Sequence, residues 1–133
     1  MTPLDVDFYD RLKKDYEKHG SLIVATDYDN TINDYHRTGL DCSPIINLLR
    51  DCSDLGFSII LFTVTENGHR EGRTKFLHCR ELGLTSGKFT TNKCLLFDES
   101  PKPYYNVLLD DRAGIKQAYD ALRKLVDEIK ETK

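Results

Sequence analysis

Two short stretches of this chain concentrate oxygen ligands. Asp27-Tyr28-Asp29-Asn30-Thr31 carries two carboxylates, an amide and a hydroxyl within five residues, and Asp110-Asp111 adds two adjacent carboxylates. Thr63 stands between the two stretches. Four carboxylates in one partly dry crevice would repel one another and take up protons, so a hard cation is their natural neutraliser. An all-oxygen donor set favours Mg²⁺ over zinc. A Mg²⁺ held by few carboxylates keeps open positions, which commonly meet a phosphate. Beside such an ion one carboxylate can attack phosphorus, forming an aspartyl-phosphate and splitting one hard displacement into two. A second carboxylate two residues on can protonate the leaving oxygen and then activate water. Asp27 and Asp29 divide the work in this way only if the chain turns sharply, because a continuing strand leaves them about 7 Å apart on one face. Asn30 suits such a turn. The hydroxyls of Thr31 and Thr63 can then donate to phosphoryl oxygens.

Whether these groups meet depends on the elements that carry them. Residues 4–19 place Phe8, Leu12 and Tyr16 on one face among charged neighbours, which predicts an amphipathic helix stopped by Gly20. Leu22 to Thr26 is a continuous β-branched and apolar run, the pattern of a parallel strand buried on both faces. Ser43 as N-cap and Pro44 in the first turn open a helix whose apolar face is Ile45, Leu48, Leu49, Cys52 and Leu55, ended by Gly56. A strand over Phe57 to Phe62 follows, then a polar loop from Thr63 to Gly72 and a helix over Arg73 to Leu82, closed by Gly83. Phe89 to Asn92 and Cys94 to Phe97 are candidate strands. Tyr105 to Leu109 is a strand running into Asp110. A final helix over Ile115 to Glu131 has one apolar stripe. Strands alternating with helices predict a three-layer, doubly wound, Rossmann-like α/β sheet with right-handed crossovers, as a single domain spanning 1–133 with its core in 20–131. In such sheets ligands sit at the carboxyl ends of the strands. Those ends are where Asp27, Thr63 and Asp110 fall.

With three strand-end motifs in this order, the chain resembles the haloacid dehalogenase superfamily of Mg²⁺-dependent phosphotransferases over roughly residues 20–126. The resemblance implies Asp27 as nucleophile and Asp29 as general acid/base, with the Asp29 main-chain carbonyl on Mg²⁺. It also implies Thr63 as a phosphoryl-binding hydroxyl, and Asp111 as a direct metal ligand supported by Asp110. The family further needs a lysine that neutralises the phosphoryl group. Lys93 and Lys102 are the candidates, Lys88 and Lys75 ranking below them. Lys93 is favoured because a five-residue strand of about 17 Å separates Lys102 from Asp110 and tends to put it at the opposite end. Asn30, Thr31 and Lys102 are the remaining candidates for substrate contact.

Spacing bears on the substrate. Many members of the superfamily carry an inserted cap domain, but only 31 residues lie between Thr31 and Thr63, and a loop and a crossover helix use most of them. A capless, open site suits a bulky phosphorylated substrate, or a small metabolite or nucleotide enclosed by a neighbouring subunit of a homo-oligomer. Asp110-Asp111-Arg112 is similar to the acidic motif of polynucleotide kinase/phosphatases, which makes a 3′-phosphate end an alternative substrate. The net charge of −3 lends it no support, since polynucleotide binding usually shows a basic footprint. A receiver domain of two-component signalling shares the acidic Mg²⁺ pocket but carries its phospho-accepting Asp on a middle strand, which here ends in Thr63. A catalytically silent scaffold of the same fold is the remaining rival. The plainest account makes Asp27 to Thr31 a strand-to-loop transition and Asp110-Asp111 the cap of the last helix.

Composition bounds the rest. A chain of 133 residues, 39% apolar and 31% charged, fits one domain able to bury its own core. Its 22 acids comprise 15 Asp and 7 Glu, a skew toward turns, caps and metal sites. The longest apolar runs fall far short of the ~20 residues that span a bilayer, and the charged N-terminus has no signal-peptide core. Four cysteines without C-x-x-C spacing read as reduced, mostly buried thiols of a cytoplasmic protein.

Overall fold

The structure, a computed structural model, describes residues 2–61, 69–84 and 104–132. Among these residues the architecture is α/β: a three-stranded parallel sheet and four α-helices. The strands are β1 (Ile23–Thr26), β2 (Ser58–Leu61) and β3 (Val107–Leu109), and the helices are α1 (Phe8–His19), α2 (Ser43–Asp54), α3 (His69–Glu81) and α4 (Ile115–Glu131). Strand β1 is central, in the order β2-β1-β3. The candidate strands over 89–92 and 94–97 lie outside the described residues.

Burial explains the central place of β1. Val24, Ala25 and Thr26 are fully buried, as the unbroken apolar run requires of a strand covered on both faces. Its partner β2 alternates, with Ile59 and Leu61 inside and Ser58 and Ile60 half-buried. The third strand is two residues shorter than expected, because Asn106 leaves the ladder. Its side-chain oxygen accepts from the Ile23 amide at 2.7 Å while its own amide donates to the Ile23 carbonyl at 2.8 Å. Its side-chain nitrogen donates to Asp15 at 3.2 Å, so this buried amide ties the start of β1 to α1.

The helices follow the apolar periodicity, with shifted starts. In place of one helix over 4–19, a single 3-10 turn over Pro3–Asp5 precedes α1. Asp7 restarts the helix by accepting the Asp10 amide at 2.9 Å, and Leu4, almost fully exposed, has nothing to pack against. The cap of α2 is Cys42 and not Ser43; the Ser43 amide is itself taken by the Asp41 carboxylate at 3.0 Å. Among the described residues helix α3 spans His69–Glu81, so His69 is helical and not in the loop expected over Thr63 to Gly72. Gly72 looked like a break, but an internal glycine costs a helix only about 1 kcal/mol relative to alanine. At the end of α2, Gly56 takes φ +82°, the left-handed value that lets the chain reverse into β2.

Helix α4 matches its expected span and carries the largest apolar face: Ala118, Ala121, Leu122, Leu125, Val126 and Ile129 are all buried. It packs on α1, α2 and β3, and α2 also packs on β2. Each fully buried leucine among Leu12, Leu48, Leu49 and Leu122 contributes about 1.5–3 kcal/mol over exposure. Cys52 and Cys79 are buried and Cys42 half-buried, all as free thiols. Among the described residues no helix is long and apolar enough to cross a membrane.

The register carries the functional consequence. Thr26 is paired with Leu61 on one side and Leu109 on the other, so β1 and β3 end level. The next residue of β1 is Asp27 and the next of β3 is Asp110. They leave the sheet side by side, with the Asp27 amide donating to the Leu109 carbonyl at 2.8 Å.

Candidate functional site

At this edge, carboxylate oxygens of Asp27, Asp110 and Asp111 lie within 4.8 Å of one another. Asp27 and Asp110 are half-buried and Asp111 is exposed. Crowding of this kind favours the protonated form of a carboxyl. Burial first, then the charge of Asp110 and a hydrogen bond with Asp111, push the Asp27 carboxyl up from 3.8 to about 7. The buried Thr31 hydroxyl is directed at Asp27, 3.4 Å from its Oδ2, and so orients that carboxylate.

The chain turns sharply after β1, as Asn30 leads one to expect. The Tyr28 carbonyl accepts the amides of Ile32 at 2.9 Å and Asn33 at 3.0 Å, while the Asn30 amide donates to the Asn33 carbonyl at 2.7 Å. Asn30 sits at φ +61°, a left-handed conformation that asparagine tolerates better than most residues. The turn separates the two carboxylates: Asp29 does not join the acidic triad. Its Oδ2 lies 3.4 Å from Nζ of Lys75 on α3. Of the four carboxylates expected to converge, three do, and the fourth has a lysine beside it.

Lys75, ranked below Lys93 and Lys102 as the phosphoryl-neutralising lysine, lies beside Asp29. Its side chain is 8% exposed and its ammonium stands 5.3 Å from the centre of the Tyr28 ring, as well as beside Asp29. The signal was present: Lys75, His78, Cys79 and Leu82 recur at helical spacing on one face, which makes Lys75 a charge on the inner side of α3. His78 is half-buried with Nδ1 2.7 Å from the Tyr28 hydroxyl. Burial pushes that phenol up to about 12, so it stays protonated. Thr63, Lys93 and Lys102 lie outside the described residues.

The last turn before α4 argues against the capping account of the acidic pair. The cap of α4 is Gly114, at φ +60°. Asp110 instead accepts the Arg112 amide on its side chain and the Ala113 amide on its carbonyl, both at 3.0 Å, which folds the loop back and leaves Asp111 facing outward.

Beside the triad opens a cleft of about 330 Å³, lined by Asn30, Thr31, Leu40, Asp41, Cys42, Ile45, Asp111 and Ile115. Its outer wall belongs to the loop before α2. That loop is ordered by Asp34, whose carboxylate accepts the amides of Thr38, Gly39 and Leu40 at 2.9–3.1 Å. These bonds hold Asp34 below the ordinary carboxylate range despite some desolvation. Asn30 and Thr31 thus reach the cleft, although the Thr31 hydroxyl is also engaged with Asp27.

No protein-family model matches this chain, and searches of curated proteins and of solved structures give no significant match.

Proposed function

We propose that this chain is a Mg²⁺-dependent phosphomonoester hydrolase of the haloacid dehalogenase type, a doubly wound core without a cap in which Asp27 accepts the phosphoryl group. The observation that carries this reading is the level ending of β1 and β3, which sets Asp27 against Asp110 and Asp111.

The donor set fits a hard cation. All three groups are carboxylates, they are close enough to share one ion, and their mutual repulsion is what a divalent charge relieves. Asp27, Asp110 and Asp111 are the residues that would hold Mg²⁺. When bound, the ion neutralises these carboxylates and the phosphoryl oxygens drawn to them. The remaining steps belong to the chain. A carboxylate oxygen of Asp27 forms a bond to phosphorus as the bond from phosphorus to the leaving oxygen breaks, and that oxygen takes up a proton from solvent. Water then attacks the phosphorus of the aspartyl-phosphate, losing a proton to Asp29 and releasing phosphate and the free Asp27 carboxylate. Thr31 orients Asp27, and Lys75 anchors the Asp29 carboxylate.

The test is direct. The protein is mixed with an aryl phosphate and Mg²⁺, quenched in acid and digested for mass spectrometry. One phosphoryl group is expected, on the peptide containing Asp27, and a chelator is expected to remove both label and turnover. Turnover with the label elsewhere, or turnover indifferent to chelation, overturns the reading.

Lys75 gives a second test. Lys75→Met keeps the length of the buried stem and removes the charge beside Asp29. Since Asp29 is about a third exposed, water can solvate it, and the melting temperature is expected to change little. The kcat for an aryl phosphate is expected to fall about tenfold to a hundredfold, with KM changing less, as for a group that positions an acid/base. Unchanged kcat would show that the ion pair is structural.

A further inference from the structure

The cleft beside the triad limits what can leave from phosphorus. Asp111 lines both the triad and the cleft, so a group occupying the cleft lies next to a phosphoryl group held at Asp27. Its volume of about 330 Å³ sits at the small end of the ~300–1,000 Å³ range of small-molecule sites, room for one ring system and short substituents. Its walls are the side chains of Leu40, Ile45 and Ile115, with Leu40 half open to solvent. Beyond the triad, the charged residue in the lining is Asp41. The Asp41 carboxylate is fixed by hydrogen bonds from Ser43, whose amide lies at 3.0 Å, and these bonds hold it below the ordinary carboxylate range. Asp41 is therefore ionised at neutral pH, and its negative charge is held at the rim by the start of α2.

Resting on the phosphatase reading, we infer that this cleft is the leaving-group subsite, and that it selects phosphomonoesters whose leaving group has an apolar ring and a neutral or cationic substituent. Esters with a second anionic group are disfavoured. The apolar walls reward burial of a ring face. Asp41 repels a second anion and attracts an amino group, through a charge that water only partly screens at the rim of a cleft. Thr31 and Asn30 complete the floor on the side of the phosphoryl group.

Three esters test this: phenyl phosphate and its para-aminomethyl and para-carboxyl derivatives, assayed with Mg²⁺ on the wild type and on Asp41→Asn and Asp41→Lys. Intrinsic differences between the leaving groups cancel when each variant is compared with the wild type. The aminomethyl-to-carboxyl ratio of kcat/KM is expected to fall about tenfold in Asp41→Asn, which keeps an acceptor for the Ser43 amide, and further in Asp41→Lys. Leu40→Ser, at a half-exposed position, is expected to raise KM for phenyl phosphate several-fold. A ratio that does not move in either Asp41 variant overturns the subsite while leaving the phosphatase reading intact. No Mg²⁺-dependent turnover of any of the three esters overturns both.

Discussion

Asp27→Asn is expected to abolish turnover and, in the metal-free protein, to stabilise the fold. The first effect follows from its place as nucleophile: an amide does not form the acyl-phosphate, and loss of an attacking group costs roughly ten-thousandfold or more in kcat. The second follows from electrostatics. The carboxyl at Asp27 rises from 3.8 to about 7 on folding because of burial and the charge of Asp110. Its folded form therefore binds the proton more tightly than its unfolded form. The associated stability is fully present below about pH 4 and is lost as pH rises through about 7. Asparagine has no proton to lose and keeps an oxygen facing Thr31. At pH 8 without metal, Asp27→Asn is expected to melt higher by about 1 kcal/mol or more, ~3–6 °C for a domain of this size. At pH 4 the gap should close. Calorimetry at the two pH values, alongside an aryl phosphate assay, checks both halves. Retained turnover would remove Asp27 from the mechanism, and equal melting temperatures at pH 8 would remove the crowding.

Mg²⁺ is expected to produce the other large effect. An ion that binds the folded chain and not the unfolded one stabilises it by about 2.7 kcal/mol at a hundredfold excess over Kd. Here it also relieves the repulsion among Asp27, Asp110 and Asp111, so the metal-induced rise in melting temperature is expected to be larger at pH 8 than at pH 5.5, where a proton on Asp27 competes with the ion. Asp110→Asn and Asp111→Asn should each reduce the rise, whereas Asp29→Asn, outside the triad, should reduce it less. Thermal shifts across a Mg²⁺ titration make the comparison. No shift at pH 8 would mean that the three carboxylates do not share an ion.

Much of this arrangement can be read from residue order, because parallel strands obey simple rules. A buried strand reads as an unbroken run from Leu22 to Thr26, an amphipathic helix as a stripe from Ile115 to Ile129, and the carboxyl end of each strand names what emerges there. Asp27 and Asp110 could be placed at one edge on those grounds alone, and Asn30 marked the turn. Boundaries were less legible where side chains compete with the backbone for hydrogen bonds. Asp7 restarts a helix, Asp41 takes the amide expected to follow a Ser43 cap, and Asn106 substitutes its own amide for two residues of strand.

The residue types and their chain order by themselves determined the α/β alternation, a first strand buried on both faces and three of the carboxylates that meet. Periodicity and strand ends are local properties, set by side chains a few residues apart. Only the tertiary structure decided which charges face one another. The level register set Asp27 against Asp110, the turn at Asn30 carried Asp29 away from the triad, and the packing of α3 brought Lys75 to Asp29. Those partners are 46 to 84 residues apart in the chain, and nothing in local sequence encodes which way two distant side chains point once the backbones between them have packed.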